Sequence, residues 1–344
     1  MIPMNPIRIG VAGATGYAGR ELLRLLARHS GASVVALAHG PGEPDEPIST
    51  TFPELAGVCD VDVVDTPLML QRADLDAAFL ALPHGAAMSA TKALLAKGVK
   101  VIDFSADYRL KDMALYQQWY KVAHEDQQNL AHAVYGLCEH YRDRIKSARL
   151  IANPGCYPTS AILPLFPLLR DNVIEPEGII IDAKSGASGA GRKPSAGLHF
   201  IEVNESFKAY SVFSHRHKPE IDQELSAAAG VKVATIFTPH LLPIERGILS
   251  TIYVDCKRHK TSSDVARSFA NAYGKEFFVR VKPEGTLPEI KHVAGTNFCD
   301  IGFCFSNGKL IIVSVIDNLV KGAAGQALQN FNIIFGFEET KGLI

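Results

Sequence analysis

The first apolar run, Ile-Arg-Ile-Gly-Val-Ala at 7–12, predicts a buried strand, and residues 21–26 beyond a glycine turn carry a helical spacing. A second strand is predicted over about 33–38. Apolar runs at 77–82 and 99–104 flank a predicted helix over about 85–97. Strands alternating with helices in this way predict a parallel sheet with right-handed crossovers. Segment 40–54 carries Pro41, Pro44, Pro47 and Pro53 and reads as a loop. A strand at 149–152 leads into an apolar helix over about 157–169. After Cys156 the rhythm changes. Candidate strands at 178–184, 231–237, 248–256, 277–281, 298–305 and 310–317 have fewer helices between them, which predicts a mixed, largely antiparallel sheet in a second, α+β domain. A helix is expected over about 219–228. The last helix, about 319–335, is rich in small residues. It is expected to pack back on the first domain or to line a cofactor site.

Length supports two domains, because single cores stop growing near ~250–300 residues and this chain has 344. With 35 basic and 36 acidic side chains, nothing favours a nucleic-acid or anionic-membrane partner, so any bound phosphate needs a local site. Residues 1–6 lack the basic start and apolar stretch of a secretory signal. No apolar run approaches the ~20 residues that span a bilayer. Six cysteines without a Cys-x-x-Cys pair argue against a metal or dithiol site and point to free thiols in a reducing cytoplasm.

Gly13-Ala14-Thr15-Gly16-Tyr17-Ala18-Gly19 stands between the first strand and the first helix. There, bare glycines let backbone N–H groups approach a pyrophosphate and the helix N-terminus adds partial positive charge. A tight turn that binds nothing is the plainer reading of the same spacing. NAD-preferring sites place a carboxylate where the second strand ends. Here Ala38-His39-Gly40 stands, with no acid before Glu43, which favours NADP, and His39 is a candidate contact.

Asn153-Pro154-Gly155-Cys156-Tyr157-Pro158-Thr159 puts Cys156 at a helix start, where the macrodipole stabilises a thiolate. Such a sulfur can split acyl reduction into two easier steps. The other five cysteines read as small buried residues. His215-Arg216-His217 precedes a helix; His217 is the choice for acid/base work, with His215 as the alternative. The loop Ser185-Gly186-Ala187-Ser188-Gly189-Ala190-Gly191-Arg192-Lys193 combines glycines, hydroxyls and cations, which suits a leaving phosphate or a carboxylate, although a flexible exposed loop has the same composition.

Several strings together resemble one family, the N-acetyl-gamma-glutamyl-phosphate reductases of arginine biosynthesis. They are the glycine turn, Ala81-Leu-Pro83-His84-Gly85, Asp103-Phe-Ser-Ala-Asp-Tyr-Arg109, the Cys156 string, the Ser185 loop, His215-Arg-His-Lys-Pro-Glu220-Ile, Thr238-Pro-His-Leu-Leu-Pro-Ile-Glu-Arg246-Gly-Ile-Leu-Ser-Thr251 and Asn318-Leu-Val-Lys-Gly322-Ala-Ala-Gly325. They run in family order along nearly the whole chain. The resemblance implies a Rossmann-type domain over 1–155 and 318–344 and a catalytic and oligomerisation domain over 156–317. It implies a general plan like aspartate-semialdehyde dehydrogenase and a homo-oligomer, dimer or tetramer.

It further implies Cys156 as nucleophile and His217 as acid/base. For the cofactor it points to Gly13, Ala14, Thr15, Gly16, Tyr17, Ala18, His39, Pro83, His84, Ser188, Gly189 and Asn318. For the substrate it points to Arg109, Asn153, Ser185, Arg192, His215, Glu220 and Arg246. The implied reaction is NADPH-dependent reduction of N-acetyl-glutamyl 5-phosphate to the 5-semialdehyde through a Cys156 thioester. Two departures stand out: Ala38-His39 where the family commonly has Ser-Arg, and Cys138 where proline is common. Three rivals remain: a reductase for a longer or carrier-bound acyl phosphate, a nucleotide sensor without turnover, and a cysteine hydrolase.

Overall fold

A computed structural model describes residues 5–40 and 42–344, so the expectations placed on residues 1–4 and on Pro41 concern positions outside the described ones. The chain divides into two compact units, one running to Pro154 and resuming over Ala323–Ile344, the other Gly155–Gly322. No helix among the described residues is long and apolar enough to cross a membrane.

The first unit is built on eight strands: β1 (Ile7–Ala12), β2 (Ala32–His39), β3 (Glu46–Pro47), β4 (Asp62–Asp65), β5 (Ala77–Leu80), β6 (Lys100–Asp103), β7 (Val134–Tyr135) and β8 (Leu150–Ala152). Their order is β3-β4-β2-β1-β5-β6-β8-β7, and every pairing is parallel except β3 with β4. Ile9, Val11, Phe79, Leu80, Val101 and Ile102 are fully buried, as strands covered on both faces require. The segment read as a loop at 40–54 is more structured than expected. It holds β3, a one-turn helix Ile48–Thr51 and a 3-10 turn Pro53–Leu55. Its prolines fall where they cost little: Pro47 ends a two-residue edge strand, and Pro53 opens the 3-10 turn, where its missing N–H would have had no partner.

The closing helix Gly325–Phe335 belongs to this unit and is buried along nearly its whole length. Its polar side chains are matched individually. Gln326 and Asn330 each donate to the Gly136 carbonyl at 2.8 Å, and the Asn332 Oδ1 meets His29 Nε2 at 2.9 Å. The predicted continuous helix over 319–335 instead begins with a π-turn, Val320–Ala324, which lies across the division between the units.

The second unit carries β9 (Ile180–Gly186), β10 (Lys208–Ala209), β11 (Ile236–Leu242), β12 (Ile248–Asp255), β13 (Val279–Val281), β14 (Cys299–Ser306) and β15 (Lys309–Ile316), in the order β10-β11-β9-β12-β15-β14-β13. The sheet is mixed: β9/β11 and β13/β14 are parallel and the other pairings antiparallel. The strand expected at 231–237 lies instead at 236–242 and runs straight through Pro239. Tyr210 N–H donates to the Pro239 carbonyl, so the proline's missing N–H faces β10, which pairs at only two residues. Residues 233 and 235 are drawn out of the strand by side-chain bonds to Ser226 and Asp222.

Candidate active site

In the first unit the glycine turn has the tight strand-to-helix geometry that its spacing predicts. Gly13 has φ +77°, and a Cβ there would overlap the Ala81 carbonyl, its carbon at 2.7 Å; a Cβ on Gly19 would lie 2.6 Å from Ala14 O. Both glycines are therefore required by the fold itself. Gly16 differs: a Cβ there meets nothing nearer than Gly13 O at 3.5 Å, so the protein alone does not demand glycine. The turn lies against the chain leaving β5. In that loop His84 Nδ1 accepts the Ala106 N–H at 3.0 Å, which leaves the proton on Nε2 of the neutral ring, and Gly85 N–H donates to Asp107 at 2.8 Å. All of this gathers at the C-terminal edge of the parallel sheet, the usual ligand edge of such folds.

Two aspartates behind this edge are fully buried. Asp107 accepts from Gly85, Ala87 and the Tyr116 hydroxyl, which anchors the start of the helix Ala87–Ala96. Burial first, and the Asp107 charge second, push Asp103 up to about 7 against the bonds it accepts from Ser105. His39 is buried at the end of β2, with Nδ1 on the Gly40 carbonyl and Nε2 on Asp45, each at 2.8 Å. Burial alone would lower its pKa. The Gly40 carbonyl and the Asp45 carboxylate outweigh that, so the pKa lies above the usual value. Absence of an acid directly after β2 is thus only part of the picture, because the loop returns Asp45 to that strand end.

Arg109 and Asn153 are buried in this unit and hold its strand ends. Arg109 Nε donates to the Asn153 carbonyl at 2.8 Å and Nη2 to Phe104 O at 2.6 Å. Asn153 donates to Ala323 O at 3.0 Å and accepts from Asn330 at 3.2 Å.

In the second unit Cys156 is the first residue of a 15-residue helix, Cys156–Arg170, with Gly155 as N-cap. Cys138 also opens a helix, yet it is sealed, its sulfur 3.2 Å from Asn330 Oδ1 and 2.9 Å from Gln326 Nε2. Cys156 is part-exposed, whereas Cys59, Cys256 and Cys299 are buried, and burial pushes the Cys59 and Cys256 thiols up. Cys304, expected to be buried, is likewise part-exposed on strand Cys299–Ser306, so it is exposure together with a helix start that sets Cys156 apart. Glu220, wholly buried, accepts the Gly155 N–H at 2.9 Å. A Cβ on Gly322 would lie 2.8 Å from Cys156 Cβ and 3.2 Å from its Cα. The small-residue stripe therefore serves a close approach to the cysteine.

His217 is the N-cap of the helix Lys218–Ala229 and His215 lies just before it. His215 Nδ1 accepts the His217 backbone N–H at 3.1 Å, and the rings are 4.9 Å apart. Burial, helped by the Arg216 charge, lowers the His215 pKa to about 4, so His215 is neutral at physiological pH. The Tyr157 ring packs edge-on against both histidines, at 5.4 and 6.0 Å. Its hydroxyl lies 3.0 Å from that of Tyr210. Tyr157 was not singled out from sequence, though its place beside Cys156 was the available signal.

The Ser185 loop is mostly structured: β9 runs to Gly186 and a 3-10 turn covers Ala187–Ala190. Asn318 bridges it to the β11–β12 connection, donating to Ser188 Oγ at 3.0 Å and accepting the Gly247 N–H at 2.7 Å. Ser185 is buried and donates to Gly186 O at 3.1 Å. A Cβ on Gly189 would meet Ser185 Oγ at 3.2 Å. Arg246 lies 3.4 Å from both Glu245 and buried Asp317, and Arg192 is exposed. Asp317, also missed from sequence, accepts the Leu319, Val320 and Gly295 N–H groups and so turns the chain after β15.

Residues 8–148 match the semialdehyde dehydrogenase NAD binding domain and residues 156–318 the semialdehyde dehydrogenase dimerisation domain. Over 98% of this chain and 97% of each relative, it is 50% identical to proteins of Pelotomaculum thermopropionicum and Symbiobacterium thermophilum named N-acetyl-gamma-glutamyl-phosphate reductase. A protein of Desulforapulum autotrophicum with that name is 49% identical over 98% of both chains. Among solved structures, aspartate semialdehyde dehydrogenase II of Vibrio cholerae, in complex with ASA, matches with a TM-score of 0.71 at 15% identity, over 96% of this chain and 98% of the other. The Candida albicans aspartate semialdehyde dehydrogenase with NADP gives 0.66 at 14% identity, over 99% of this chain and all of the other. These structural likenesses bear on the fold.

Proposed function

Because this chain belongs to the semialdehyde dehydrogenase family, and within it to the N-acetyl-gamma-glutamyl-phosphate reductases, we propose that it reduces N-acetyl-glutamyl 5-phosphate to N-acetyl-glutamate 5-semialdehyde, with Cys156 as nucleophile and NADPH as reductant. The observation that carries the reading is a part-exposed thiol at the start of a 15-residue helix, with Gly322 packed on its Cβ. In the first unit the two glycines the fold requires, and the third it does not, fit a pyrophosphate laid on the turn. NADPH, when bound, supplies a hydride to the acyl carbon.

The Cys156 thiolate attacks the acyl carbon; the C–S bond forms and phosphate leaves with the C–O electron pair. First-turn N–H groups of Cys156 and Tyr157, which no carbonyl of their own helix can accept, are the proposed donors to the transient oxyanion. After reduction His217 protonates the thiohemiacetal oxygen, then takes that proton back as the C–S bond breaks and the thiolate departs. His215 stays neutral and holds the His217 backbone N–H. Arg192 and Arg246 are the proposed cations for phosphate and substrate carboxylate. The second unit is proposed to join copies of the chain into a homo-oligomer. Phosphate-dependent reduction of NADP and of NAD with N-acetyl-glutamate semialdehyde, followed at the nicotinamide absorbance, tests both reaction and cofactor. No rate with either sinks the reading.

Two glycine substitutions separate fold from ligand. Gly13→Ala should cost about 1–2 kcal/mol from the left-handed backbone alone, lowering Tm by several degrees. Gly16→Ala should leave Tm within about 2 °C yet weaken NADP binding at least tenfold by fluorescence titration. Equal affinity in Gly16→Ala and wild type counts against a dinucleotide on this turn. Gly322→Ala must displace the Cys156 helix start. A 1 Å misplacement can cost about 10²-fold, so a fall of about tenfold or more in kcat is expected with cofactor Kd unchanged.

A further inference from the structure

Asp317, just after β15, is a fully buried carboxylate to which the reaction scheme above gives no part. Its oxygens are held by backbone. Oδ1 accepts the N–H groups of Leu319 and Val320 at 2.8 and 3.1 Å, and Oδ2 accepts that of Gly295 at 2.7 Å. A carboxylate fixed by three backbone donors does not swing, and its charge, sealed from water, calls for a cation nearby. That cation is Arg246, whose Nη1 lies 3.4 Å from Oδ2. At that length the contact is an ion pair more than a tight hydrogen bond, so Asp317 steers the guanidinium rather than clamping it.

A second carboxylate, Glu245, also lies 3.4 Å from Arg246. Exposure decides between them. Glu245 is 71% exposed and its pull is screened by water, whereas Asp317 is 0% exposed and its pull is not. The guanidinium is a planar fork of five N–H donors, so a fixed charge at one nitrogen orients the others. The main chain beside Arg246 is strapped on two sides. The Gly247 carbonyl accepts the Gly186 N–H at 2.9 Å, and the Gly247 N–H donates to Asn318 Oδ1 at 2.7 Å. Only the side chain of Arg246 is left to place, and Asp317 places it. The Asp317 carbonyl meanwhile accepts the Gly322 N–H at 2.9 Å, and Gly322 is the residue packed on Cys156. One turn, residues 317–322, thus reaches the cation at one end and the start of the nucleophile's helix at the other.

We infer that Asp317 is a positioning residue for substrate: it holds the Arg246 guanidinium in the pose that meets an anionic group of the substrates, in register with Cys156. The inference rests on the proposed reaction and on Arg246 as one of its cations.

Asp317→Asn tests it in the steady state, with N-acetyl-glutamate semialdehyde and phosphate varied in turn. The amide has the size of the carboxyl and can still accept the Leu319 and Val320 N–H groups, but it is uncharged and turns an NH2 toward Arg246. The KM for at least one of the two anions is expected to rise about tenfold, with kcat within about threefold and NADP affinity within about twofold of wild type. Arg246→Gln should raise the same KM about 30-fold or more. Adding Asp317→Asn to Arg246→Gln should then change that KM by no more than about twofold, because the group it acts through is gone. A merely structural role would make the two losses multiply. Should Asp317→Asn fail to fold, crystals of the unaltered enzyme with the semialdehyde and phosphate still decide. In them Arg246 Nη1 should stay beside Asp317 while the guanidinium meets an oxygen of the semialdehyde or of phosphate. A guanidinium that leaves Asp317 to bind the anion, an unchanged KM in Asp317→Asn, or losses that multiply overturns the inference. A wild-type KM in Arg246→Gln overturns that arginine as a substrate cation, and a wild type without turnover overturns the proposed reaction.

Discussion

Cys156→Ser is expected to lower kcat at least about 10³-fold while leaving NADP affinity within twofold of wild type. Serine keeps the size and the helix start but puts an alcohol, almost wholly un-ionised at neutral pH, where the thiol stood. The comparison that matters is with Cys138→Ser. That residue also opens a helix, yet its sulfur is sealed between Asn330 and Gln326, so its loss should cost stability and spare the chemistry. Steady-state rates and melting temperatures of both variants separate the two roles. A Cys156→Ser enzyme with half the wild-type rate removes the covalent mechanism.

The second large effect falls on His217. Removing a positioned acid/base costs about 10²–10⁴-fold, and His217→Gln is expected in that range. It should also remove one limb from the pH profile of kcat/KM. His215→Asn tests the alternative assignment. Below about pH 4, His215 protonates and its Nδ1 becomes a donor, so it can no longer accept the His217 N–H. Above that pH it is already neutral, and its replacement should lower the rate without moving the limb of the profile that His217→Gln removes. A limb that disappears with His215 and persists in His217→Gln would exchange their roles.

The legible parts of this chain were those where one local rule dominates. Buried parallel strands are short apolar runs, so β1, β5 and β6 read correctly within a residue or two. The glycine turn was readable because Gly13 and Gly19 are fixed by backbone overlap, a constraint that leaves glycine no substitute. The place of Cys156 at a helix start was readable from the turn residues before it.

What escaped was set by partners distant in sequence. Two-residue strands such as β10 exist only through their neighbours. β11 crosses a proline that only a nearly bare edge tolerates. The helix Ser262–Tyr273 was legible in principle, since Thr261 and Asp264 form a capping box ahead of it. Asp45 lies six residues beyond His39, and only the folded loop brings it back onto that ring. Arg109 and Asn153, expected as substrate contacts, also hold carbonyls and side chains at the strand ends, a use invisible without the fold.

Intact-mass and peptide mass spectrometry of the enzyme mixed with N-acetyl-glutamyl 5-phosphate, without reduced nicotinamide, tests the central claim most directly. The account predicts one N-acetyl-glutamyl group per chain, carried on the Cys156 peptide, discharged by NADPH and absent from Cys156→Ser. An active enzyme that never acquires the group, or that carries it on another residue, contradicts it.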